Sequence, residues 1–316
     1  MGENSATYKR GLFEMLTVII PTRNEEKNLP VIFESLKADK FKGKYELLVV
    51  DGHSKDKTVE IAKSFGARIV QQKESGISNA RNIGWQSAKG DVLIFLEADH
   101  WIEPGFLTAV DKFFKKNKTF DAARYNIKPH PGNYIQKALV VQCELAERRQ
   151  GARGFPTIFR KYVLEKTGGW DESIGIAEDR ELPIRIKQAG FKVGFIEDAK
   201  MWAKPVDSFK SLYKEGRWYG RHVMSYVRKT NDYATLLGVF LYASFAPLTL
   251  LSFFSGIFAT LLALAFLALL AYALKGYLIT KSTYAFLMIP VNIARGFGEL
   301  IGLLESPFVK QKGKIS

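Results

Sequence analysis

The sequence predicts an α/β fold with a mostly parallel open sheet and helices on both faces, followed by an α-helical membrane hairpin. Two observations carry this prediction. From Leu16 to Lys115, short apolar runs alternate with amphipathic segments of about ten residues, which is the pattern of strand–helix–strand units. Further along, the 42 positions from Tyr233 to Leu274 contain no charged residue, whereas one bilayer-spanning helix needs about 20 apolar residues.

Strands and helices alternate along the first part of the chain. The predicted strands are apolar, β-branched runs: Leu16–Pro21, Tyr45–Asp51, Arg68–Gln71 and Val92–Glu97. The predicted helices have apolar residues at helical spacing: Glu25–Lys37, Lys57–Phe65, Ser78–Ala88 and Pro104–Lys115. Ligands of such sheets bind beyond the carboxyl ends of the strands, so the residues that follow each strand are candidates for a site.

The charge-free run has the length of two spans, with a turn predicted near Ser255 and Gly256. Pro247 falls inside the first span, where a kink is tolerated. The alternative is a pair of buried helices in the core of a soluble protein. A run of this length without a charge is rare outside membranes, which favours the hairpin.

A third apolar stretch, Tyr284–Leu304, contains Arg295 and Glu299, which are four residues apart and are expected to pair on one helical face. The stretch is either a third span packed through its small residues or a helix lying at the membrane interface. The lysines of the tail at 305–316 favour the interfacial helix if that tail stays cytoplasmic.

The net charge of +14 points to a polyanionic partner. Between Lys200 and Thr230 there are eight lysines and arginines but only two acids, interleaved with tryptophans and tyrosines. Such a segment before a span is typical of a belt that binds anionic lipid headgroups; the alternative is a solvated basic helix. The belt places the N-terminal part on the cytoplasmic side. The single cysteine, Cys143, excludes an intramolecular disulfide and a multi-cysteine zinc site.

Acidic residues follow three of the predicted strands. Glu25 comes after the first strand, Asp51 ends the second, and Glu97 and Asp99 come at the end of the fourth. They are expected to converge on one cleft, where carboxylates bind hydroxyls, amide N–H groups or a divalent cation. The chain has neither a Walker A motif nor a GxGxxG sequence, which excludes a P-loop NTPase and an ordinary dinucleotide domain.

Four segments together resemble the family 2 glycosyltransferases, which are inverting enzymes with the A-type nucleotide-diphospho-sugar transferase fold. These segments are VIIPTRNEEKNL (18–29), LLVVDGHSKDKT (47–58), GISNARNIGWQSAKGDVLIFLEADHWIEPGFL (76–107) and GGWDESIGIAEDRELPIRIKQAGFKV (168–193). Each segment is a weak signal alone, but the four occur in the family's order and spacing. The membrane hairpin is not part of the resemblance.

The resemblance implies a pocket for a nucleotide diphosphate sugar. The residues implied to line the base and ribose are Pro21, Thr22 and Glu25. Asp51 is implied to receive the base N–H, although Gly52 stands where many relatives have a second acid. Arg81 lies in the segment that approaches the diphosphate; its alternative is a solvated arginine on a helix surface.

The resemblance also implies a metal site, because the family's Asp-x-Asp pattern reads Glu97-Ala98-Asp99 here. Mg²⁺ or Mn²⁺ needs hard oxygen ligands to bridge the donor phosphates. Asp99 is the implied direct ligand, and Glu97 contacts the ribose or a metal-bound water. His100 is an additional candidate ligand, with packing at the loop as the alternative.

The fourth segment implies the acceptor chemistry. A hydroxyl acceptor loses its proton as it attacks, and by resemblance Asp179 is the general base, with Glu178 beside it. Both precede the predicted helix 180–188, whose N-terminus favours ionised carboxylates; the alternative is a helix cap without chemistry. Trp170 is a candidate to stack on the acceptor sugar, or else a core residue.

Comparison with two related groups of enzymes narrows the predicted acceptor and the predicted mode of synthesis. Polyprenyl-phosphate sugar synthases share the first three segments, but a phosphate acceptor needs no base, so Asp179 favours a hydroxyl acceptor. Processive synthases carry Gln-x-x-Arg-Trp, and this chain has Arg217-Trp218 without the glutamine, so processivity is not predicted. Arg217 or Arg221 remains a candidate to neutralise the diphosphate.

The resulting prediction is a membrane-bound, metal-dependent, inverting glycosyltransferase in the cell membrane, with a lipid or lipid-linked acceptor. One alternative is a polyprenyl-phosphate sugar synthase, and another is a catalytically silent scaffold or export component. Nucleic acid is not an expected partner, because the basic residues are concentrated beside the spans. The predicted organisation is a tail (1–14), a catalytic domain (15–205), a basic aromatic segment (206–232), a membrane region (233–304) and a basic tail (305–316).

Overall fold

The computed structural model of the chain describes residues 15–74, 76–150, 156–173, 178–230, 233, 244–252 and 255–306. The chain divides into two compact units. The first comprises the described residues of Met1–Ile127, Arg153–Trp170 and Leu182–Trp202, and the second those of Lys128–Ala152, Asp171–Glu181 and Ala203–Ser316.

An eight-stranded sheet has the strand order β3-β2-β1-β4-β7-β6-β8-β5. The strands are β1 (Leu16–Thr22), β2 (Tyr45–Asp51), β3 (Arg68–Gln71), β4 (Val92–Phe95), β5 (His100–Ile102), β6 (Ala122–Pro129), β7 (Ile158–Arg160) and β8 (Val193–Ala203). β3, β2, β1 and β4 run parallel, and β7 is antiparallel to both β4 and β6. The carboxyl ends of β2, β1 and β4 therefore lie side by side.

Helices cover both faces of this sheet, as the sequence predicts. The first unit contains α1 (Leu29–Ala38), α2 (Thr58–Ser64), α3 (Ile77–Ser87), α4 (Phe106–Lys116) and α6 (Lys161–Thr167); α7 (Glu178–Gln188) begins in the second unit and ends in the first. Alternate residues of a strand point to opposite faces. Val18 and Ile20 accordingly join one buried cluster with residues of α1 and α4. Ile19 joins a second cluster with residues of α3, α6 and α7. The α/β fold class is thereby confirmed.

The second unit is helical. Its helices are α5 (Tyr134–Gln150), α8 (Phe209–Thr230), α9 (Phe245–Ser252), α10 (Gly256–Thr280) and α11 (Met288–Glu305), with a 3-10 helix over Thr283–Leu287. A buried apolar cluster joins α5, α8, α10 and α11, with Leu139, Leu212, Ala273 and Val291 among its members. These helices therefore share one apolar core.

The predicted first span lies mainly outside the described residues, of which only 233 and 244–252 fall within it. The predicted turn agrees with the start of α10, because the Ser255 hydroxyl accepts a hydrogen bond from the Ile257 N–H at 3.3 Å and caps the helix. Gly256–Thr280 and Thr283–Glu305 are both long and apolar enough to cross a membrane by length and composition, with mean hydropathies of 2.5 and 1.4.

The apolar side chains of α10 are largely exposed. Leu264 is 58% exposed and Leu267 57% exposed, and Ile257 and Leu278 are exposed as well. A core helix of a soluble protein buries such residues. The alternative of a buried soluble helix therefore does not fit α10, whereas contact with lipid does.

Ion pairs connect α8 to α11 and correct two sequence-based expectations. Arg295 does not pair with Glu299 along its own helix; its Nη2 atom lies 2.7 Å from Oε2 of Glu215 on α8. Arg217 and Arg221 both bind Glu305, with Arg217 Nε at 3.0 Å and Arg221 Nε at 2.6 Å from its carboxylate oxygens. The two arginines considered for the donor diphosphate thus hold α11 against α8 instead.

Replacing Glu46 with glutamine is expected to destabilise the first unit at neutral pH by about 1–3 kcal/mol, because the half-buried carboxylate accepts from Arg68 Nε at 2.7 Å and from Lys89 N–H at 2.9 Å. Burial raises the pKa of Glu46. The two hydrogen-bond partners and the Thr17 hydroxyl lower it by more, so the pKa of this carboxyl lies below its ordinary value. A depressed carboxyl pKa stabilises the fold above the unfolded value of about 4.3, and that contribution is lost as the pH falls through the folded value.

The test is denaturant unfolding in detergent at a series of pH values. The difference between wild type and Glu46→Gln should be largest near neutrality and should shrink under acid conditions. Glu34→Gln is the matched control, because the Glu34–Lys37 pair is exposed and is expected to contribute little. A pH-independent difference for Glu46→Gln would contradict the assignment.

Candidate functional site

The loops that follow β1 and β2 are tied together at the carboxyl edge of the sheet. The Asn24 N–H donates to Ser54 Oγ at 2.9 Å, and the Lys55 N–H donates to Asn24 Oδ1 at 2.8 Å. The Glu25 N–H donates to Thr58 Oγ1 at 2.7 Å. The segment 21–25 predicted to line the nucleotide is therefore held in place by the loop after Asp51.

Asp51 is buried at the end of β2, and its carboxylate accepts from the Ser54 N–H at 3.2 Å. The following residue explains the departure from the family pattern. A Cβ at Gly52 would lie 2.8 Å from Gln72 Oε1 and 3.3 Å from the Thr22 carbonyl oxygen. An acid at this position therefore has no room unless Gln72 moves, so only one carboxylate is available here.

Thr22 ends β1 beside Asp51, with which it is in register. Its side chain is buried, and its hydroxyl oxygen is without a hydrogen-bond partner. A buried hydroxyl that forms no hydrogen bond is unfavourable unless a ligand or water completes it. This observation supports Thr22 as part of a polar ligand site.

Three predicted acids share one negative field in the first unit. Burial is the main cause that raises the pKa of Glu25; the Asn28 side chain, which donates to Glu25 at 2.8 Å, opposes it. Asp99 and Glu97 raise the pKa of Glu25 further by repulsion. Such a group of carboxylates suits a cation or the hydroxyl groups of a ligand.

Arg81 and Glu97 form an ion pair, with Arg81 Nη2 2.6 Å from Glu97 Oε1. The Arg81 side chain is only 12% exposed, so the alternative of a solvated helix-surface arginine is wrong. Burial raises the pKa of Glu97, but Arg81 and His100 lower it by more, so the carboxylate is held ionised. Tyr125, which the sequence analysis did not single out, is buried near this pair, and burial raises the pKa of its phenol.

Asp99 and His100 are neighbours at the start of β5, with His100 Nε2 3.7 Å from Asp99 Oδ1. His100 Nδ1 is buried without a hydrogen-bond partner. Among the residues that the structure describes, no group of three or more histidine, cysteine or acidic side chains is arranged to hold a metal. Mg²⁺ is commonly held by one or two carboxylates together with substrate phosphates, and the carboxylate of Asp99 fits that donor set.

Trp170 occupies the core rather than an exposed surface, which corrects its predicted role in stacking on an acceptor. The side chain is 5% exposed, and its ring centroid lies 4.7 Å from that of Phe95 and 5.7 Å from that of Phe159. Asn82 fixes the backbone on both sides, accepting from the Trp170 N–H at 2.9 Å and donating to its carbonyl at 2.8 Å. The ring has no open face on which a sugar could stack.

The predicted base segment belongs to the second unit. Glu178 and Asp179 lie in the first turn of α7, where Glu178 is buried and Asp179 half-buried. Residues 174–177, which precede them, lie outside the described part of the chain. Tyr219 of α8 lies in their field: burial raises its pKa most, and Glu215, Asp179 and Glu178 raise it further. No sequence signal relates Tyr219 to this segment, because the two are far apart along the chain.

Replacing Thr22 with valine is expected to weaken donor binding by about tenfold, because the hydroxyl that would bind the donor is lost. The fold should stay as stable or become more stable, because this hydroxyl has no hydrogen-bond partner within the protein. Calorimetric titration of a nucleotide sugar and thermal unfolding measure the two effects. Thr17→Val is the matched control: the Thr17 hydroxyl accepts from the Gly90 N–H at 2.9 Å and donates to Glu46 at 3.1 Å, so it should lower stability instead. Unchanged donor affinity in Thr22→Val would remove Thr22 from the site.

Two family models together match most of the chain. The model of glycosyl transferase family 2 matches residues 17–168, and that of glycosyl transferase family group 2 matches residues 135–279. The chain belongs to the family 2 glycosyltransferases. The segments that carry the family pattern include the strand ends and loops described above.

Individual relatives of this family-2 chain agree. Glycosyltransferase AglE of Haloferax volcanii is 27% identical over 219 residues, covering 63% of this chain and 70% of that protein. A dolichol-phosphate mannosyltransferase of Pyrococcus furiosus is 37% identical over 89 residues, which is 27% of this chain and 25% of that protein. Other curated relatives are spanned to as little as 16% of their length.

One solved structure resembles the chain over most of its length. The mannosyltransferase PcManGT from Pyrobaculum calidifontis, in complex with GDP-Man and Mn²⁺, has a TM-score of 0.57 and covers 92% of this chain and 87% of its own. At 19% sequence identity, this similarity concerns the fold.

Proposed function

We propose that this family 2 chain is a membrane-bound, metal-dependent, inverting glycosyltransferase of the cell membrane, with its catalytic part on the cytoplasmic side. It would transfer a sugar from a nucleotide diphosphate sugar to a hydroxyl group of a lipid or lipid-linked acceptor. The observation that carries the donor half is the arrangement at the ends of β1, β2 and β4, where the unpartnered Thr22 hydroxyl and the acids at 25, 51, 97 and 99 are gathered. The exposed leucines of α10 support the membrane half.

The donor residues have separate roles in this proposal. Asp51 and Thr22 bind the base and ribose together with Pro21 and Glu25, and Arg81 keeps Glu97 ionised and in place. Asp99, with His100, would hold Mg²⁺ or Mn²⁺, which when bound offsets the charge of the leaving diphosphate. The complex of PcManGT with GDP-Man and Mn²⁺ supports this donor and metal class.

The acceptor half rests on the first turn of α7. Inversion is a single displacement at the anomeric carbon, in which the acceptor oxygen forms the new bond as the diphosphate leaves. Asp179 takes the acceptor proton as general base, and its place in the first turn of α7 is one where a helix favours negative charge. Glu178, beside it, maintains the negative potential of this turn.

The alternative acceptor is a polyprenyl phosphate, which the similarity to a dolichol-phosphate mannosyltransferase supports. A phosphate is already ionised and needs no base, so the two acceptors differ in their dependence on Asp179. Parallel assays with polyprenyl phosphate and with glycolipid acceptors separate them. Transfer to the phosphate that persists in Asp179→Asn would replace the hydroxyl proposal with this alternative.

The test of the function as a whole is a donor screen on purified membranes, with mass spectrometry of the lipid products. Calorimetry of the purified protein with UDP- and GDP-sugars, with and without Mn²⁺, accompanies it. Metal-dependent binding of one donor together with a glycosylated lipid product is expected. Absence of donor binding under all these conditions would support the catalytically silent scaffold or export component instead.

A further inference from the structure

Helices α8 and α11 are packed together through glycines on both partners. A Cβ on Gly216 or Gly220 of α8 would overlap a backbone carbonyl of α11, and a Cβ on Gly298 or Gly302 of α11 would overlap a backbone carbonyl of α8. In each helix the two glycines are four residues apart, as in pairs of helices whose backbones approach closely. The two helices are therefore fixed to each other at backbone contact distance.

The ion pairs show that the two helices run parallel. Glu215 binds Arg295, and further along both helices Arg221 binds Glu305. Two helices in parallel contact along their length occupy the same depth relative to a membrane. Whatever depth α11 takes, the charged residues of α8 must take as well.

Arg295 lies one residue from the middle of the apolar stretch Thr283–Glu305. If this stretch crossed the bilayer, the Arg295–Glu215 pair would lie near the centre of the hydrocarbon. Arg217, and Lys214 on the exposed side of α8, would be carried into it with that pair. Charged side chains are rare and costly at that depth, and here they occur on two helices at once.

The first half of Thr283–Glu305 also forms polar contacts with a neighbouring helix. Lys137 of α5 lies 3.3 Å from the Tyr284 hydroxyl, and Gln142 of the same helix donates to Asn292 at 3.2 Å. Polar or charged contacts thus occur from the beginning to the end of Thr283–Glu305. By contrast, α10 has a charge-free run from Gly256 to Leu274 with exposed leucines, as a spanning helix requires.

The outward residues of the pair match a helix that lies in a membrane surface. Trp218, Phe297 and Leu304 are exposed and apolar, and Lys210, Lys214 and Arg228 of α8 are exposed and basic. Aromatic and apolar residues together with lysine and arginine are typical of interfacial helices, and the positive charge complements anionic phosphate headgroups.

We propose that α8 and α11 lie together in the membrane interface, with α11 not crossing the bilayer and the basic residues of α8 bound to anionic phospholipid headgroups. This inference depends on the membrane association proposed above but not on the transfer reaction. Of the two described helices that are long enough to span, it assigns the crossing to α10 alone.

Depth measurements in vesicles of phosphatidylcholine and phosphatidylglycerol test the placement. The background is Cys143→Ser, and a fluorophore is attached to a single cysteine placed at position 297, 304, 214 or 267. Two quenchers are compared: a nitroxide on the lipid headgroup and a nitroxide at the end of the acyl chain. Labels at 297, 304 and 214 should all be quenched more strongly by the headgroup nitroxide. The label at 267 should be quenched by the acyl-chain nitroxide.

The outcomes are distinguishable. A label at 297 that is quenched like the one at 267 would overturn the interfacial placement; if Phe297→Cys does not fold, the 63% exposed Leu304 position decides in its place. A label at 267 without deep quenching would overturn the membrane association itself, and with it that part of the proposed function. Transfer activity is read out separately.

A second quenching experiment tests the contact with anionic headgroups. A nitroxide on the phosphatidylglycerol headgroup should quench the label at 304 severalfold more than the same nitroxide on phosphatidylcholine, and high salt should abolish the difference. Lys210→Gln combined with Lys214→Gln should reduce the preference. Equal quenching by both lipids at low salt would overturn the assignment of anionic headgroups.

Discussion

Replacing Asp179 with asparagine is expected to lower the turnover number by about 10² to 10⁴-fold, the range that a general base contributes. Asparagine has nearly the same size and is still polar, so the fold should persist. The residues proposed to bind the donor belong to the first unit, so donor affinity should be unchanged. Steady-state kinetics with a hydroxyl acceptor and calorimetry with the donor measure the two quantities separately.

Glu181→Gln is the matched control, because Glu181 is also an acid of the first turn of α7 and the substitution removes the same charge. It should leave turnover within a few-fold of wild type. Glu178→Gln should have an intermediate effect, through the potential at the neighbouring carboxylate. Unchanged turnover in Asp179→Asn, or an equal loss in Glu181→Gln, would remove Asp179 from the role of base.

Replacing Gly220 with alanine is expected to lower the free energy of unfolding by at least about 3 kcal/mol, the upper part of the range for overpacked sites. The added Cβ would overlap the backbone of Glu299, which cannot turn aside as a side chain can. Relief requires α8 and α11 to separate, which also breaks the ion pairs with Glu305. Thermal unfolding in detergent and the fraction of protein that elutes as one species report the effect.

Gly256→Ala provides the control for the intrinsic effect of the substitution. Gly256 is the first residue of α10, and a Cβ there would meet nothing within 4 Å. Its replacement should be neutral or stabilise the protein by a few tenths of a kcal/mol. If Gly220→Ala behaves like Gly256→Ala, the close pairing of α8 with α11 is not how the second unit packs.

The first four strands could be predicted because their signal is local, whereas β5, β6, β7 and β8 were not predicted. β2 and β3 have the bounds that the sequence predicts, and the buried second half of β2 is the kind of strand that reads as a continuous apolar run. Helix starts were less accurate: the predicted helix at Glu25 begins at Leu29. Glu25 instead uses its backbone and side chain to form the turn with Asn28 and the contact with Thr58, contacts that hydrophobic periodicity does not report.

The long-range contacts could not be predicted. The partner of Arg81 is Glu97 and the partner of Arg295 is Glu215, 80 residues away along the chain. Helical spacing offers only the neighbours at i+3 and i+4, which is why the Arg295–Glu299 pair was the expectation. Trp170 shows the same limit, since an aromatic residue in a loop reads alike whether it faces a ligand or the core. The roles of Asp51, Asp99 and Asp179 remain predictions.

The glycine-packed pair of α8 and α11 also has a consequence for the order in which the second unit folds during translation. The ion pairs between α8 and α11 join residues 80 to 88 positions apart, with the charge-free segment between them. At translation rates of about 5–20 residues per second, α8, which ends at Thr230, is complete roughly 4 to 15 s before α11 ends at Glu305. During that interval the glycine face of α8 and three of its charged residues are without their final contacts. The second unit therefore cannot close until α11 has been made, so α11 completes the packing of this unit rather than nucleating it.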